Sequence, residues 1–256
     1  MDDPFVPRVG GILSADIAVP EHARELRFYS RVLTTGVRPL WRDDLMNSAG
    51  MPIIGLGPRS ADYDHLPLQW MPHIQVADVA ASAERALELG GKALMLDENS
   101  RWAVLLDPDG AAFGIVPVVA AADLPTIDGG AAPFGHIAWI DLTVPDAAAI
   151  REFYHRVVGW TVQEVAMQDA GSRYADFNMI AADGHAAAGI CHARGVNQGL
   201  PPTWMLYLPV GDLTESIRRA EEEGGRIIKT TPSKAGGYAV AVVQDPVGAT
   251  LALVPG

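Results

Sequence analysis

The stretch His136–Trp160, HIAWIDLTVPDAAAIREFYHRVVGW, is written into this chain twice, and that repetition limits the available folds more than any other feature. Its first part alternates as a strand does, with Ile137, Trp139, Asp141 and Thr143 assigned to one face and Ala138, Ile140, Leu142 and Val144 to the other. Pro145 stops the strand and Asp146 is placed to cap a helix. Ile150, Phe153, Tyr154, Val157 and Val158 then recur at helical spacing as one apolar stripe, and Gly159 suits a left-handed C-cap before a further extended run. Near the N-terminus, GILSADIAVP lies over HIAWIDLTVP, so that Asp16 matches Asp141 and Pro20 matches Pro145. Phe28-Tyr29 falls on Phe153-Tyr154 at the same separation of 125 residues, without a gap.

A second repeat is interleaved with the first. WMPHIQVADV, from Trp70, matches WMLYLPVGDL, from Trp204, at a separation of 134, with Asp78 and Asp212 as helix caps and a Gly-Gly pair closing each helix. Each copy ends in a type I turn, Asp107-Pro-Asp-Gly or Asp245-Pro-Val-Gly, before a last strand at 112–116 or 250–254. The separation there is 138, and the glycine-rich Lys234-Ala-Gly-Gly-Tyr absorbs the difference. Four strand–helix–strands units follow, at about 10–58, 68–118, 135–191 and 202–254. Residues 119–133, with Pro125 and Gly129-Gly130, read as a linker between a first domain at 1–118 and a second at 134–256. The first unit is weakest: 37–41 and 51–56 look extended around a polar, mobile-looking link from Arg42 to Ser48. It is also nine residues shorter than its mate between the Phe-Tyr pair and the next Trp-Met.

Hydrophobic content of 49% with 20% charged residues describes a chain with a real core. A formal charge of −12, with no basic cluster, argues against nucleic acid as partner. The sequence has no apolar run of membrane-spanning length, and its acidic start lacks the layout of a signal peptide, so a cytoplasmic location is expected. Cys191 is the only cysteine; it excludes an internal disulfide and reads as an inert strand residue.

DLTVPDAAAIREFYHRVVGW, WMLYLPVGDL, RAEEEGGRI and DPVGATLALV carry a resemblance, with weaker copies DIAVPEHARELRFYSRVL, HIQVADV, ALELGGKAL and DPDGAAFGIV. Together they resemble the vicinal-oxygen-chelate superfamily, which includes glyoxalase I, extradiol dioxygenases and bleomycin and fosfomycin resistance proteins. Within it, the layout looks like a two-domain type found among actinobacterial antigens and hydroxylase-like proteins. The resemblance covers nearly the whole chain. It implies an α+β fold of four βαβββ modules forming two cup-shaped, mostly antiparallel sheets of eight strands each. It also implies where metal-dependent members keep their ligands: positions 14, 71 and 114, then 139, 205 and 252. Here those are Ser14, Met71, Gly114, Trp139, Met205 and Ala252, and none is a good ligand for a divalent ion. No metal and no cofactor is therefore expected.

Those positions also imply which strand face looks into each cup, since residues two apart share a face. Ser14, Asp16 and Ala18 should point inward together, as should Trp139, Asp141 and Thr143. On the other inner strands the same rule selects Met71, His73 and Gln75, then Met205 and Tyr207, with the pairing of modules into cups, within a half or across halves, left open. Asp16, His73, Asp141 and Tyr207 are the candidate catalytic groups; Ser14, Met71, Gln75, Trp139, Thr143 and Met205 are candidate pocket residues. A carboxylate in mid-strand at equivalent places in both copies reads either as a structural anchor or as a ligand contact. His73, with Tyr207 in its place in the other copy, reads either as a half-buried strand histidine or as a base whose pKa Asp16 would raise. His22, His65 and His155 are expected to be solvated, and Phe28-Tyr29 and Phe153-Tyr154 to be helix-to-sheet core.

Two functions compete. One is a metal-independent enzyme moving protons on a small organic substrate, as an isomerase, lyase, cyclase or cofactor-free oxygenase. The other is a protein that sequesters a planar drug or metabolite, with Trp139, Met71 and Met205 as the stacking surface. The partner in either case is a small molecule, with homodimerisation left open.

Overall fold

The structure, a computed structural model, describes residues 7–47, 50–123 and 135–256. The first half runs β1 (Ile12–Val19), α1 (His22–Leu33), β2 (Ile54–Pro58), β3 (Met71–Val76), α2 (Val79–Glu88), β4 (Lys92–Leu96), β5 (Ala103–Leu106) and β6 (Ala112–Pro117). The second runs β7 (Trp139–Val144), α3 (Ala147–Val158), β8 (Thr161–Asp169), β9 (Ser172–Ile180), β10 (Ala186–His192), β11 (Trp204–Val210), α4 (Leu213–Glu222), β12 (Arg226–Pro232), β13 (Tyr238–Gln244) and β14 (Thr250–Pro255). Asp78, Asp146 and Asp212 each cap their helix by accepting an amide three residues on. The linker expected at 119–133 lies mostly outside the described residues.

Each half builds its own sheet. The orders are β2-β1-β3-β6-β5-β4 and β12-β13-β14-β11-β7-β10-β9-β8. The antiparallel seam is laid in the same register in both, Asp16 opposite Met71 and Asp141 opposite Met205. Modules thus pair within a half, a point the repeat alone leaves open.

The expectation of eight strands in the first sheet is corrected. Among the described residues it has six, because nothing corresponds to the long β8–β9 hairpin. Two nine-residue strands cannot be accommodated in a module shortened by nine residues. The chain around 40–47 makes only an isolated bridge between Trp41 and Asn47, and it is not the mobile link expected there. Leu40, Trp41 and Leu45 are buried, and the Trp41 indole donates to the Pro209 carbonyl of the second half at 2.8 Å. Burying an indole and two leucines holds this segment down without a sheet partner.

The halves are joined by crossed helix packing, α1 on α4 and α2 on α3. The Phe-Tyr pairs are core, as expected, but their hydroxyls reach across the molecule. Tyr29 donates to Asp245 at 2.7 Å and accepts from Trp70; Tyr154 donates to Asp107 at 3.2 Å and accepts from Trp204. Both aspartates belong to the Asp-Pro-x-Gly turns, where the other carboxylate oxygen holds the turn's amides. Each turn carboxylate therefore fixes its own turn and the opposite half.

Candidate functional site

The first sheet encloses a cavity of about 1070 Å³. Asp16 and Ala18 on β1 and the glycines of β2 form one wall, Met71 and His73 on β3 the floor, and Met95, Trp102 and Val104 the far wall. Asp16 and His73 are set by glycines on neighbouring strands. A Cβ at Gly55, opposite Asp16 in register, would lie 2.0 Å from the Asp16 Oδ1, and one at Gly114, opposite His73, would lie 2.5 Å from the imidazole Cδ2. Only glycine lets the carboxylate and the ring lie across these strands.

The three polar groups form a line. Ser14 Oγ is 2.9 Å from His73 Nδ1, and His73 Nε2 is 3.5 Å from Asp16 Oδ2. Ser14 stands behind the wall, His73 shows a fifth of its side chain, and Asp16 is 55% exposed and faces the cavity. The sequence-based expectation for His73 is corrected in sign. Burial disfavours the imidazolium more than Asp16 favours it, so the pKa is lowered from its ordinary 6.5. A neutral ring carries one N–H. With Ser14 donating to Nδ1, that proton sits on Nε2 and points at Asp16.

Of the other first-half candidates, Met71 lines the cavity and Ser14 and Gln75 do not. Gln75 is buried at the end of β3, where the chain leaving β6 crosses and the Val119 amide donates to its Oε1 at 3.0 Å. The site also contains residues that sequence reasoning passed over: Gly55, Gly57, Tyr63, Met95 and Trp102. Gly55 left a readable trace. It has a structural mate in Gly189, whose Cβ would lie 2.1 Å from Asp141 Oδ1, and the extra spacing to that mate is the nine residues the first module lacks.

In the second half Trp139, Asp141 and Tyr207 come together and bond one another. The Trp139 indole donates to Asp141 Oδ1 at 2.6 Å and the Tyr207 hydroxyl to Oδ2 at 2.8 Å. Burial raises the Asp141 pKa against the pull of those two donors, and burial likewise pushes the Cys191 thiol up, leaving it unreactive. Met205 packs with Val242 and Ala252, and Leu200 packs against them. The loop carrying Leu200 is pinned by Arg194, which forms a two-bond salt bridge to Asp169 and stacks 4.3 Å above Tyr174. Thr143 is buried. The three histidines expected to be solvated are each bonded to a backbone carbonyl, His22 to Leu56 at 2.9 Å, the exposed His65 to Leu94 at 3.3 Å and His155 to Trp160.

Two cup-shaped sheets joined by crossed helices define a member of the glyoxalase fold class. The chain belongs to the glyoxalase/bleomycin resistance protein/dioxygenase superfamily: that family's model matches residues 134–253, and a glyoxalase-like domain model matches 14–116. It is 31% identical over 131 residues to the anthracycline biosynthesis protein DnrV of Streptomyces peucetius, and equally to DauV of Streptomyces sp. strain C5. Each match covers 46% of this chain and 46% of the relative, so it spans about half the length of these curated relatives. Among solved structures, the fold is shared with the Mn(II)-bound glyoxalase from Novosphingobium aromaticivorans, at 18% identity and a TM-score of 0.54 over 98% of this chain and 83% of that one. It is shared equally with 2,2',3-trihydroxybiphenyl 1,2-dioxygenase from Sphingomonas wittichii RW1, at 16% identity and TM-score 0.54 over 98% and 91%.

The divalent metal that the family implies does not fit these residues. No three His, Cys, Asp or Glu side chains among the described residues are grouped to hold an ion. At position 114, where a carboxylate ligand is implied, the glycine leaves room that the His73 ring fills.

Proposed function

We propose that the first cup carries out metal-independent proton transfer on a small organic molecule, with Asp16 as the base that meets the substrate. The observation that carries this is the Ser14–His73–Asp16 line ending in an exposed carboxylate inside a mostly apolar cavity. The Asp16 carboxylate takes a proton from an acidified C–H or O–H of the substrate, and the electron pair stays on the substrate as an enolate or aryloxide. Returning the proton at another atom completes an isomerisation; expelling a leaving group completes an elimination. His73 is a positioning residue here, its Nε2–H steadying the carboxylate. Each cup is built within one half, so a second copy of the chain is not needed to complete the site. The kinship with proteins named for anthracycline biosynthesis supports a multi-ring aromatic ketone as substrate.

The test is deuterium uptake. Enolisable aromatic ketones are incubated with the protein in heavy water and followed by mass spectrometry. Wild type should catalyse exchange with or without chelator, and Asp16→Asn should lose about 10²-fold or more while remaining folded. Exchange that survives Asp16→Asn, or that needs a metal restored after chelation, sinks the proposal. Sequestration without chemistry is the second reading, favoured by the size of the cavity. It predicts tight binding with no exchange by any variant. Met71→Ala would weaken that binding, whereas Trp139, spent on Asp141, would not contribute to it.

A further inference from the structure

The geometry points to Gly57 as the residue that sets ligand class in the first cup, which is shaped for a planar, multi-ring molecule carrying no anionic group. The inference takes from the preceding section only that this cup is the ligand site.

The wall beside Asp16 is nearly free of side chains. Residues 55 and 57 pair in register with Asp16 and Ala18, so Gly55, Gly57 and Ala18 present backbone and one methyl to the cavity. Gly55 is needed to seat the Asp16 carboxylate, but Gly57 has no such duty. A Cβ there would meet nothing closer than the Ile17 carbonyl at 4.0 Å, and its φ is not in the left-handed region, so a side chain could be carried without strain. The position is empty toward the ligand space alone.

The second cup carries side chains at the corresponding places. There, in the same register, Gly189 pairs with Asp141 and Cys191 with Thr143, so a thiol and a hydroxyl-bearing side chain stand where the first cup has Gly57 and Ala18. The carboxylate–glycine pair is shared between the cups; the clear wall next to it is not. A smooth strip of peptide planes accepts the face of a fused ring system, and Met71, Met95 and Trp102 supply soft and aromatic surface on the other sides. About 1070 Å³ exceeds what a compact metabolite needs and suits several fused rings.

Charge narrows the class further. Asp16 and Asp123 line the cavity, and Arg101 is the basic residue among its described lining. That guanidinium is held by both oxygens of Asp97, at 2.9 and 3.1 Å, which leaves it a poor partner for a ligand anion. A carboxylate or phosphate placed here would lose water beside Asp16 without gaining a counter-charge.

Three planar fluorescent tricyclic probes separate the possibilities: proflavine (cationic), anthracene methanol (neutral) and anthracene carboxylate (anionic). Fluorescence titration of wild type should show the first two binding and the carboxylate at least about 10-fold weaker. Gly57→Val should weaken the neutral probe by about 10-fold or more and Gly57→Ala by less, with circular dichroism and Tm unchanged. Equal binding of the carboxylate, no binding of any probe, or a Gly57→Val protein that binds as wild type overturns the inference; should Gly57→Val misfold, the Gly57→Ala titration decides. Because the titration reads no turnover, a protein that binds these probes and fails deuterium exchange loses its proposed chemistry and keeps its slot.

Discussion

Ser14 does not line the cavity, yet its hydroxyl decides which nitrogen of His73 is free to carry a proton. A hydroxyl that donates to Nδ1 stabilises the neutral ring, adding to the burial that already depresses the His73 pKa below 6.5. The sign follows directly. The neutral form is present at pH 7 and is lost as pH falls through the lowered value, taking with it the folding stability that the uncharged ring permits. Ser14→Ala should therefore move the His73 titration upward, and Ser14→Thr should restore it. NMR titration of the ring C–H protons measures this without a substrate. A midpoint unmoved by Ser14→Ala would show that the hydroxyl does not hold the tautomer.

At the level of elements, α1 carries one residue that its repeat mate α3 does not: Glu25, where α3 has Ile150. Glu25 is fully buried, and its pKa is pushed up to about 8 by burial first and then by the Asp245 carboxylate, to which Tyr29 also donates. The carboxyl is thus held protonated where α1 meets the turn of the other half. Because the folded pKa lies above the ordinary 4.5, the stabilisation is complete below pH 4.5 and is lost as pH rises toward 8. Glu25→Gln should flatten the fall in Tm between pH 5 and 8. Glu25→Ile, which copies the other half, should raise Tm at pH 8 by at least about 2–4 °C, the shift expected for 1 kcal/mol in a protein this size. Thermal scans across that pH range check both, and parallel pH dependence in wild type and Glu25→Gln would count against the assignment.

For the whole molecule, the interface between halves is built like a core. Phe113 of the first half packs on Phe153 and Tyr154 of the second at 6.1 and 5.1 Å, and the Trp160 indole donates to the Gly10 carbonyl at 2.7 Å. Two domains joined this way should not unfold separately. Calorimetry should give one transition with matching calorimetric and van't Hoff enthalpies, and two resolved peaks would contradict this. Tyr154→Phe leaves Asp107 and Trp204 each short of a partner, so it should lower stability by about 1–3 kcal/mol and move that single transition as a whole.

The sequence by itself determined the repeat, and with it the α+β fold. Strand alternation, aspartate caps and Asp-Pro-x-Gly turns are local signals, and the 125- and 134-residue separations copy them from one half to the other. With the resemblance supplying one inward residue per strand, alternation put Asp16, His73 and Met71 on inward faces, and the pairing within a half brought them to one cavity. Only the tertiary structure decided the rest. It showed that Asp141 is consumed by Trp139 and Tyr207, that burial outweighs Asp16 in setting the charge of His73, and that each Tyr of the repeat bonds a turn in the opposite half. It also showed that a missing hairpin leaves the first sheet with six strands among the described residues. Apart from the Trp139–Asp141 bond, these outcomes depend on which groups meet across more than 40 residues of chain and on how much water remains beside them, and no local pattern of residue types encodes either.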